Sequence, residues 1–385
     1  KRPKNELKKK DYNEFYKTLS YDGDDALDWI HSTAEGTLEF TILFFIPKKA
    51  PADIYRADYQ PGVKLYVNRV FITDDDKELL PTWLRFVKGV IDSSDLPLNV
   101  SREILQQNRI MAKIKSNSVK KVLDKIKTIS KNKEKYEGFY NEFGRLLKEG
   151  VYQEFEHKEA LTDLLRFKST KEDGYVSLQD YVDRMDSDQK SIYYITGTNE
   201  SALRESPLLE MYKDKNIEVL ILDDEIDEII MPSIPTYKEK DLKSVNRSGA
   251  ADDLKNDSDK DKEKKVKPLI KKIKSILGDK IKDVKASNRL SNSPSCIVAD
   301  ENDPTAQMQE ILKATGQTGM PEVKPILEIN PDHEIIKKLA AMRKSKSFDD
   351  GVLLLYEQAL LQEGVNLDNP AGFVKRINKL MEKAL

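Results

Sequence analysis

The sequence is poor in the side chains that most often build catalytic and metal centres. Its 385 residues include one cysteine, three histidines and two tryptophans. The single cysteine, Cys296, excludes a disulfide framework within one chain and is typical of a reducing compartment. The histidines His31, His157 and His333 stand far apart and match no zinc spacing, so we expect no bound metal. We expect Cys296 to be a small core residue rather than a nucleophile.

Long apolar runs are missing as well. Runs such as Ile42–Ile46 fall far short of the ~20 residues that a bilayer-spanning helix needs. The basic segment Lys1–Lys10 is followed by no apolar stretch of the kind found in a secretory signal. These absences predict a cytoplasmic protein that has no membrane partner.

The charges are numerous but balanced. Lys and Arg total 65 against 67 Asp and Glu, which leaves a formal net charge of −2 in a chain that is 34% charged. Because the surface has no field of one sign, we expect no nucleic-acid partner. Neither of the common glycine-rich phosphate loops occurs in the sequence. The chain is therefore expected to contain no nucleotide site of its own and to bind no cofactor alone.

Hydrophobic periodicity predicts an α/β (α+β) fold. The length of 385 residues predicts several domains, because single cores seldom exceed roughly 250 residues. Leu38–Ile46 and Lys64–Ile72 are rich in β-branched and aromatic residues, and each is predicted to be one strand. From Lys113 to about Phe167 apolar residues recur at three- and four-residue steps, which indicates helices.

The second half of the sequence changes character twice. Ser191–Thr196 and Ile217–Leu222 flank a helical stretch, which predicts a parallel pair of strands. From Ala251 to Lys267 most side chains are charged, which favours a linker or a solvated helix. The chain ends in two apolar-rich helical patterns. We predict a large α/β domain with a helical connector, a small α/β subdomain, a charged linker and a mixed α/β C-terminal domain, at residues 1–172, 173–243, 244–262 and 263–385.

One polar segment, Ser93–Met111, is a candidate for function. Asn99, or the serine two residues further on, suits the N-cap of a helix that starts at Arg102. Gln106 lies about one helical turn further along the same face. The residues alone leave two interpretations open: Arg102 contacts a ligand, or it pairs with a neighbouring carboxylate such as Asp95.

This segment closely resembles the catalytic loop in the middle domain of the heat-shock protein 90 family. Further blocks resemble the family, in the family's order, along nearly the whole chain, and the C-terminal blocks resemble its bacterial form. These blocks are Asp11–Tyr16, Glu35–Lys49, Leu65–Asp74, Leu80–Asp92, Ala160–Thr170, Tyr181–Thr196, Glu218–Glu228, Leu290–Ala299, Glu322–His333 and Leu353–Leu361. The chain is thus similar to the middle and C-terminal domains of a bacterial family member.

The resemblance implies that Arg102 contacts the γ-phosphate of ATP, which a separate N-terminal domain holds together with magnesium. A guanidinium suits this contact because it stays charged and offers forked donors to phosphate oxygens. Gln106 and Asn99 are implied as its polar companions. The implied function is that of a stress-response chaperone, which binds and remodels unfolded client proteins and couples this work to ATP hydrolysis. The chain alone should be inactive as an ATPase.

The resemblance also implies a client-binding helix around Thr305–Thr315. Met308, Ile311 and Leu312 lie on it at helical spacing. A flexible methionine beside aliphatic residues suits adaptable, weakly specific contacts. Packing in the core explains the same pattern, and both interpretations stay open.

The two C-terminal helices, Val352–Gln362 and Asn369–Leu385, carry more apolar residues than one small domain is expected to cover. This predicts a homodimer held by a four-helix bundle. The predicted dimerisation residues are Leu353, Leu354, Leu360, Leu361, Phe373, Ile377 and Leu380. Two rival functions remain: a passive protein-interaction scaffold, and an independent hydrolase that uses Cys296 or Arg102.

Overall fold

The computed structural model describes residues 2–35, 38–74, 79–96, 109–254, 258–316, 323–343, 345 and 347–384. The chain divides into two compact units, Lys1–Arg166 and Phe167–Leu385. This division lies after Arg166, and the boundaries predicted after residues 172, 243 and 262 stay predictions. Each unit combines helices with sheets of mixed strand direction, which confirms the predicted α/β class. Within the described ranges, no helix is long and apolar enough to cross a membrane.

A five-stranded sheet forms the centre of the first unit. In chain order the elements are α1 (Lys9–Ser20), β1 (Asp28–Ala34), β2 (Phe40–Ile46), β3 (Gly62–Val67), β4 (Val70–Thr73) and β5 (Lys88–Ser93). The strand order is β1-β2-β5-β3-β4, with β3 and β5 parallel and the other neighbours antiparallel. Ile42, Phe44 and Phe45 are each 0% exposed. Strand β2 is therefore covered on both faces, which explains its almost continuous apolar sequence.

The prediction of one strand over Lys64–Ile72 is wrong. The chain turns back at Asn68 and Arg69, and Val67 pairs with Val70 in an antiparallel hairpin. Both turn residues have positive φ, 49° at Asn68 and 68° at Arg69, as a two-residue type I′ turn requires. Asparagine tolerates this conformation, but an arginine where glycine is usual provides no turn signal in the sequence.

Among the described residues of the first unit, three helices follow the sheet: α2 (Arg109–Ile129), α3 (Lys133–Gln153) and α4 (Lys158–Leu164). They confirm the helical pattern predicted for this stretch. A break at Asn132 separates α2 from α3, because the Asn132 side chain accepts a hydrogen bond from the Lys135 N–H at 2.9 Å and caps α3.

A second five-stranded sheet begins the other unit. In chain order the elements are β6 (Lys168–Ser169), α5 (Leu178–Arg184), β7 (Ser191–Thr196), α6 (Glu200–Arg204), α7 (Glu210–Asp214), β8 (Val219–Leu222), α8 (Glu225–Ile230), β9 (Thr236–Tyr237) and β10 (Lys240–Ser244). The strand order is β6-β8-β7-β10-β9. Strands β7 and β8 are parallel, which confirms the predicted pair. A short 3-10 turn that begins at Pro207 separates α6 from α7.

The rest of this unit is a three-stranded sheet covered by helices. In chain order the elements are α9 (Ser258–Leu277), β11 (Asp283–Ala286), β12 (Ser295–Val298), α10 (Ala306–Ala314), β13 (Ile326–Ile329), α11 (Glu334–Ala341), α12 (Phe348–Gln362) and α13 (Pro370–Ala384). The strand order is β11-β13-β12. Helices α9 and α12 pack on this sheet and on each other. Ile273, Phe348 and Val352 in this core are each 0% exposed.

The predicted charged linker, residues 244–262, differs from the structure in its first half. Val245 is 0% exposed, and the chain beside it bonds to the end of β12. The Ser248 N–H donates to the Ala299 carbonyl at 2.8 Å, and the Ala299 N–H donates to the Asn246 carbonyl at 2.9 Å. Backbone pairing and burial therefore anchor the first residues of the predicted linker, which precede the charge-rich stretch that begins at Ala251. From residue 258 the chain is helical, which agrees with the helix rather than the linker among the two alternatives predicted for this stretch.

Candidate functional site

The residues predicted to act on ATP, Asn99, Arg102 and Gln106, lie outside the described residues. Their roles stay predictions. The structure does describe both ends of the segment that carries them, and this segment connects β5 to α2.

Both ends of this segment are fixed in the first unit. The Glu39 N–H donates to Asp95 Oδ2 at 2.6 Å, and the Ser94 N–H donates to the Glu39 carbonyl at 3.2 Å. Beyond them, Leu96 is 2% exposed. At the far end Met111, in the first turn of α2, is 3% exposed. The described residues on either side of the segment are thus anchored in the first unit, by hydrogen bonds at Ser94 and Asp95 and by burial at Leu96 and Met111.

The predicted client-binding residues share helix α10. Thr305 caps this helix, because its Oγ1 accepts a hydrogen bond from the Met308 N–H at 3.1 Å. Met308, Ile311 and Leu312 are each half-buried. Helix α10, which the structure describes throughout, has no fully buried residue and lies against α8. Its apolar side is thus neither sealed in the core nor fully exposed.

The predicted dimerisation residues of α12 lie in different environments. Leu354 is 4% exposed, Leu353 and Leu360 are half-buried, and Leu361 is 46% exposed. Other apolar residues of α12, such as Leu355 at 2%, are buried in the core of their own unit. Much of the apolar surface that the sequence pattern assigned to a partner is therefore covered within the chain.

Helix α13 has the larger accessible apolar strip. Val374, Leu380 and Met381 are 52%, 53% and 52% exposed. Phe373 and Ile377 are half-buried. An amphipathic helix with so many accessible apolar residues has a side available for another surface.

Two ion pairs hold α13 on α12. Arg376 Nε donates to Glu357 Oε2 at 3.2 Å, and these side chains are 16% and 12% exposed. Lys379 Nζ lies 2.6 Å from Asp350 Oδ2 in a more exposed pair. These contacts fix which side of α13 faces its own unit.

Cys296 and two of the histidines have structural contacts. Cys296 is 1% exposed, as predicted for a core residue, and burial raises the pKa of its thiol well above the usual range. His31 Nδ1 lies 2.9 Å from the Tyr12 hydroxyl oxygen, and His333 caps α11. In the part of the chain that the structure describes, no group of three His, Cys, Asp or Glu side chains is placed to hold a metal ion. These contacts lend no support to the hydrolase alternative.

The sequence patterns missed a buried ion pair in the second unit. Arg289 Nε lies 3.1 Å from Glu328 Oε2, and the two side chains are 3% and 8% exposed. Arg289 also donates to the carbonyls of Val245 at 2.6 Å and Arg247 at 3.0 Å. The pair therefore joins the chain that follows β10 to strand β13. No local signal points to it, because 39 residues separate the partners in a chain that is 34% charged.

A second missed contact joins α7 to the loop before β12. The Glu210 carboxylate accepts hydrogen bonds from the N–H groups of Ser291, Asn292 and Ser293 at 2.7, 2.8 and 3.2 Å. Burial raises the pKa of the Glu210 carboxyl, but these bonds and one from the Ser293 hydroxyl outweigh it, so the pKa is lowered overall. The carboxylate thus stays charged and ties the two sheets of this unit together.

Known proteins resemble this chain along its whole length. The family model described as "Hsp90 protein" matches residues 1–385. A "Chaperone protein HtpG" from Treponema denticola is 56% identical over 389 residues, which cover 99% of this chain and 61% of that protein. Proteins of the same name from Treponema pallidum and Sulfurovum sp. are 50% and 53% identical, over 100% of this chain and 61% and 62% of their own lengths. The chain spans about three fifths of these relatives and belongs to the Hsp90 family, in its bacterial HtpG-like form.

Proposed function

We propose that this chain is the middle and C-terminal part of an ATP-dependent chaperone that binds and remodels unfolded client proteins. The observation that carries the proposal is the similarity to an HtpG chaperone, at 56% identity over 99% of the chain. A cytoplasmic location and a role in the stress response are part of the same proposal. The single buried cysteine suits such a reducing compartment.

The coupling to ATP rests on the segment between β5 and α2. In this proposal a separate domain binds ATP with magnesium, and Arg102 supplies a guanidinium to the γ-phosphate, assisted by Gln106 and Asn99. The guanidinium would stabilise the negative charge that develops during phosphoryl transfer. The chain alone should hydrolyse no ATP.

Client contact is proposed on the accessible side of α10. Met308, Ile311 and Leu312 are half-buried there, so they combine a fixed position with partial accessibility. Methionine adapts its shape to different neighbours, which suits clients that share no sequence.

The proposed assembly is a homodimer. The accessible strip of α13 and the exposed end of α12 would pair with the same residues of a second chain, as a two-fold interface requires. Leu361, Phe373, Ile377 and Leu380 would form its centre, with Leu353 and Leu360 at its inner side. Leu354, which is buried in its own unit, would hold α12 in position without contacting the second chain.

Suppression of aggregation tests the proposed function. The 385-residue chain is mixed with a protein that unfolds on warming, and light scattering is followed. We expect scattering to fall as the chain approaches molar excess over the client, whereas an unrelated acidic protein at the same concentration leaves it unchanged. If the chain is instead a passive scaffold that binds folded partners, scattering should not change. That result would contradict the proposed chaperone function.

A further inference from the structure

The first unit contains a pocket that the proposed chaperone roles do not use. It is a partly open pocket of about 180 Å³ between the chain before β3 and the chain before β5. Its floor is apolar: Val63, Leu80, Leu84 and Val87 are 3%, 8%, 0% and 1% exposed. A cavity of about 150 Å³ accommodates one benzene ring. This pocket therefore has room for one aromatic ring or a branched alkyl group.

The Tyr59 side of the pocket is held in place. Lys88 Nζ donates to the Tyr59 hydroxyl at 2.8 Å, and the same ammonium lies 5.0 Å from the centre of the Tyr59 ring. The Lys88 stem lies across Gly62, where an added Cβ would come within 2.0 Å of Lys88 Cδ. Glycine at this position thus makes room for the lysine that supports the tyrosine.

Hydrogen bonds also hold Arg85, on the opposite side of the pocket, in place. Arg85 Nε donates to the Ile54 carbonyl at 2.8 Å, and Arg85 Nη1 donates to the Thr82 carbonyl at 3.0 Å. The same guanidinium forms two bonds to Glu149, at 2.5 and 2.9 Å. A pocket whose walls are ordered before binding loses little side-chain entropy when a ligand enters.

A second guanidinium stands at the rim. Arg56 lines the pocket, and its side chain is 68% exposed. Its Nε and Nη2 donate to Asp58 at 2.9 and 3.1 Å, while Nη1 makes no hydrogen bond to any described residue. Exposed ion pairs of this kind contribute little, so a carboxylate on a ligand competes for the guanidinium at small cost.

We propose that this pocket binds a small carboxylic acid that carries one aromatic ring. The ring fills the space above Leu84 and Val87, and the carboxylate pairs with Arg56 at the rim. The two parts of the site match the two parts of the ligand: an apolar floor excludes water from the ring, and a forked donor recognises the anion.

Titration of the 385-residue chain with 3-phenylpropionate, followed by ligand-observed NMR, tests the proposal. We expect a dissociation constant of about 1 mM, as is usual for a ligand of this size. The uncharged 3-phenylpropanamide should bind roughly five- to tenfold more weakly, since it lacks the charge-assisted bond. No binding at 10 mM acid, or equal affinity for acid and amide, would overturn the proposal.

Two variants and a matched control place the ligand. Arg56→Gln should weaken acid binding roughly five- to tenfold and leave the amide unaffected. Ala57→Trp, at an exposed rim position, should block both ligands. Arg2→Gln is the control, because Arg2 is also exposed and paired with a carboxylate, Asp11, but does not line the pocket. Unchanged acid binding in both rim variants, with circular dichroism showing normal folding, would contradict the assigned site. Either result leaves the chaperone proposal untouched.

Discussion

Arg289 is 3% exposed, and its guanidinium is shared between the Glu328 carboxylate and two backbone carbonyls. Desolvation favours loss of the proton from such a buried group, but the nearby carboxylate outweighs it and raises the pKa of Arg289 overall. A buried pair adds little stability compared with apolar residues of the same volume. Loss of one partner is costly, however, because the other charge is left buried without compensation.

Glu328→Gln should therefore destabilise the second unit by about 3–5 kcal/mol. Chemical unfolding followed by circular dichroism measures the change. Both tryptophans, Trp29 and Trp83, lie in the first unit, so tryptophan fluorescence reports on that unit separately. Glu334→Gln is the matched control: its pair with Lys337 is 73% and 55% exposed, so this substitution should leave the unfolding midpoint nearly unchanged. An unchanged unfolding midpoint for Glu328→Gln would show that the pair is not buried as described.

Arg102→Ala should lower ATP turnover about a hundredfold in a full-length protein that includes the nucleotide-binding domain. Removal of one such donor costs on the order of 3 kcal/mol in the transition state. ATP affinity should stay nearly constant, since the contact strengthens only in the reacting state. Steady-state turnover and equilibrium nucleotide binding measure the two effects. Arg109→Ala, an exposed arginine at the start of α2, serves as control. Normal turnover in Arg102→Ala would rule out the assigned role.

At the scale of single elements, helices α10 and α13 expose their apolar residues to different extents, which suits different kinds of contact. In α10 the residues of interest are half-buried, and the helix lies against α8. In α13 three apolar residues are over half exposed, and ion pairs to α12 fix the other side. A half-buried helix side suits transient, adaptable contacts, whereas a broad exposed strip suits a lasting partner of the same shape.

The α10 interpretation is tested with Met308→Ser, Ile311→Ser and Leu312→Ser combined. Each substitution removes apolar contact worth about 1 kcal/mol or more, so client affinity should fall at least roughly tenfold. Fluorescence anisotropy of a labelled unfolded client gives the affinity. The control removes three apolar residues elsewhere, Val374, Leu380 and Met381 on α13, and should leave intrinsic client binding per chain nearly unchanged. If the two triple variants lose client affinity equally, α10 is not a specific client surface.

At the scale of the whole molecule, the buried position of α12 determines which variants can test the proposed dimer. Phe348, Val352 and Ala359 are each 0% exposed within their own unit. Deletion of everything after Ser347 would therefore remove part of the core as well as the proposed interface. Substitutions on the exposed strip of α13 separate the two effects, because they leave the core intact.

Val374→Ser, Leu380→Ser and Met381→Ser combined should convert a dimer into a monomer. Burial of two such side chains per chain contributes about 3–6 kcal/mol, which is enough to decide the equilibrium at micromolar concentration. Sedimentation velocity measures the mass of each species, and the α10 triple variant serves as the control that should stay dimeric. The dimer assignment is wrong if the unaltered chain sediments as a monomer, or if the α13 variant remains a dimer.

Local patterns in the sequence were enough to establish the family, the α/β class and part of the secondary structure, including β2, β7, β8 and the helices between Arg109 and Leu164. Hydrophobic periodicity and capping residues act within a few positions, so the break at Asn132 and the parallel pair β7 and β8 can be traced to neighbouring residues. The family blocks also located the segment around Arg102, although its contacts lie outside the described residues. These features need no knowledge of which segments meet in space.

Only the tertiary structure decided which surfaces cover the apolar faces and which charges meet. Most of the apolar surface of α12 is covered by its own unit, the chain just after Ser244 is paired to the end of β12, and Arg289 meets Glu328 across 39 residues. Periodicity predicts that one face of a helix is apolar. It does not predict which surface covers that face, because burial depends on residues far away in the chain. The turn at Asn68 and Arg69 followed the same rule: the antiparallel pairing of β3 and β4 requires a left-handed backbone at Arg69, a residue type that does not predict it.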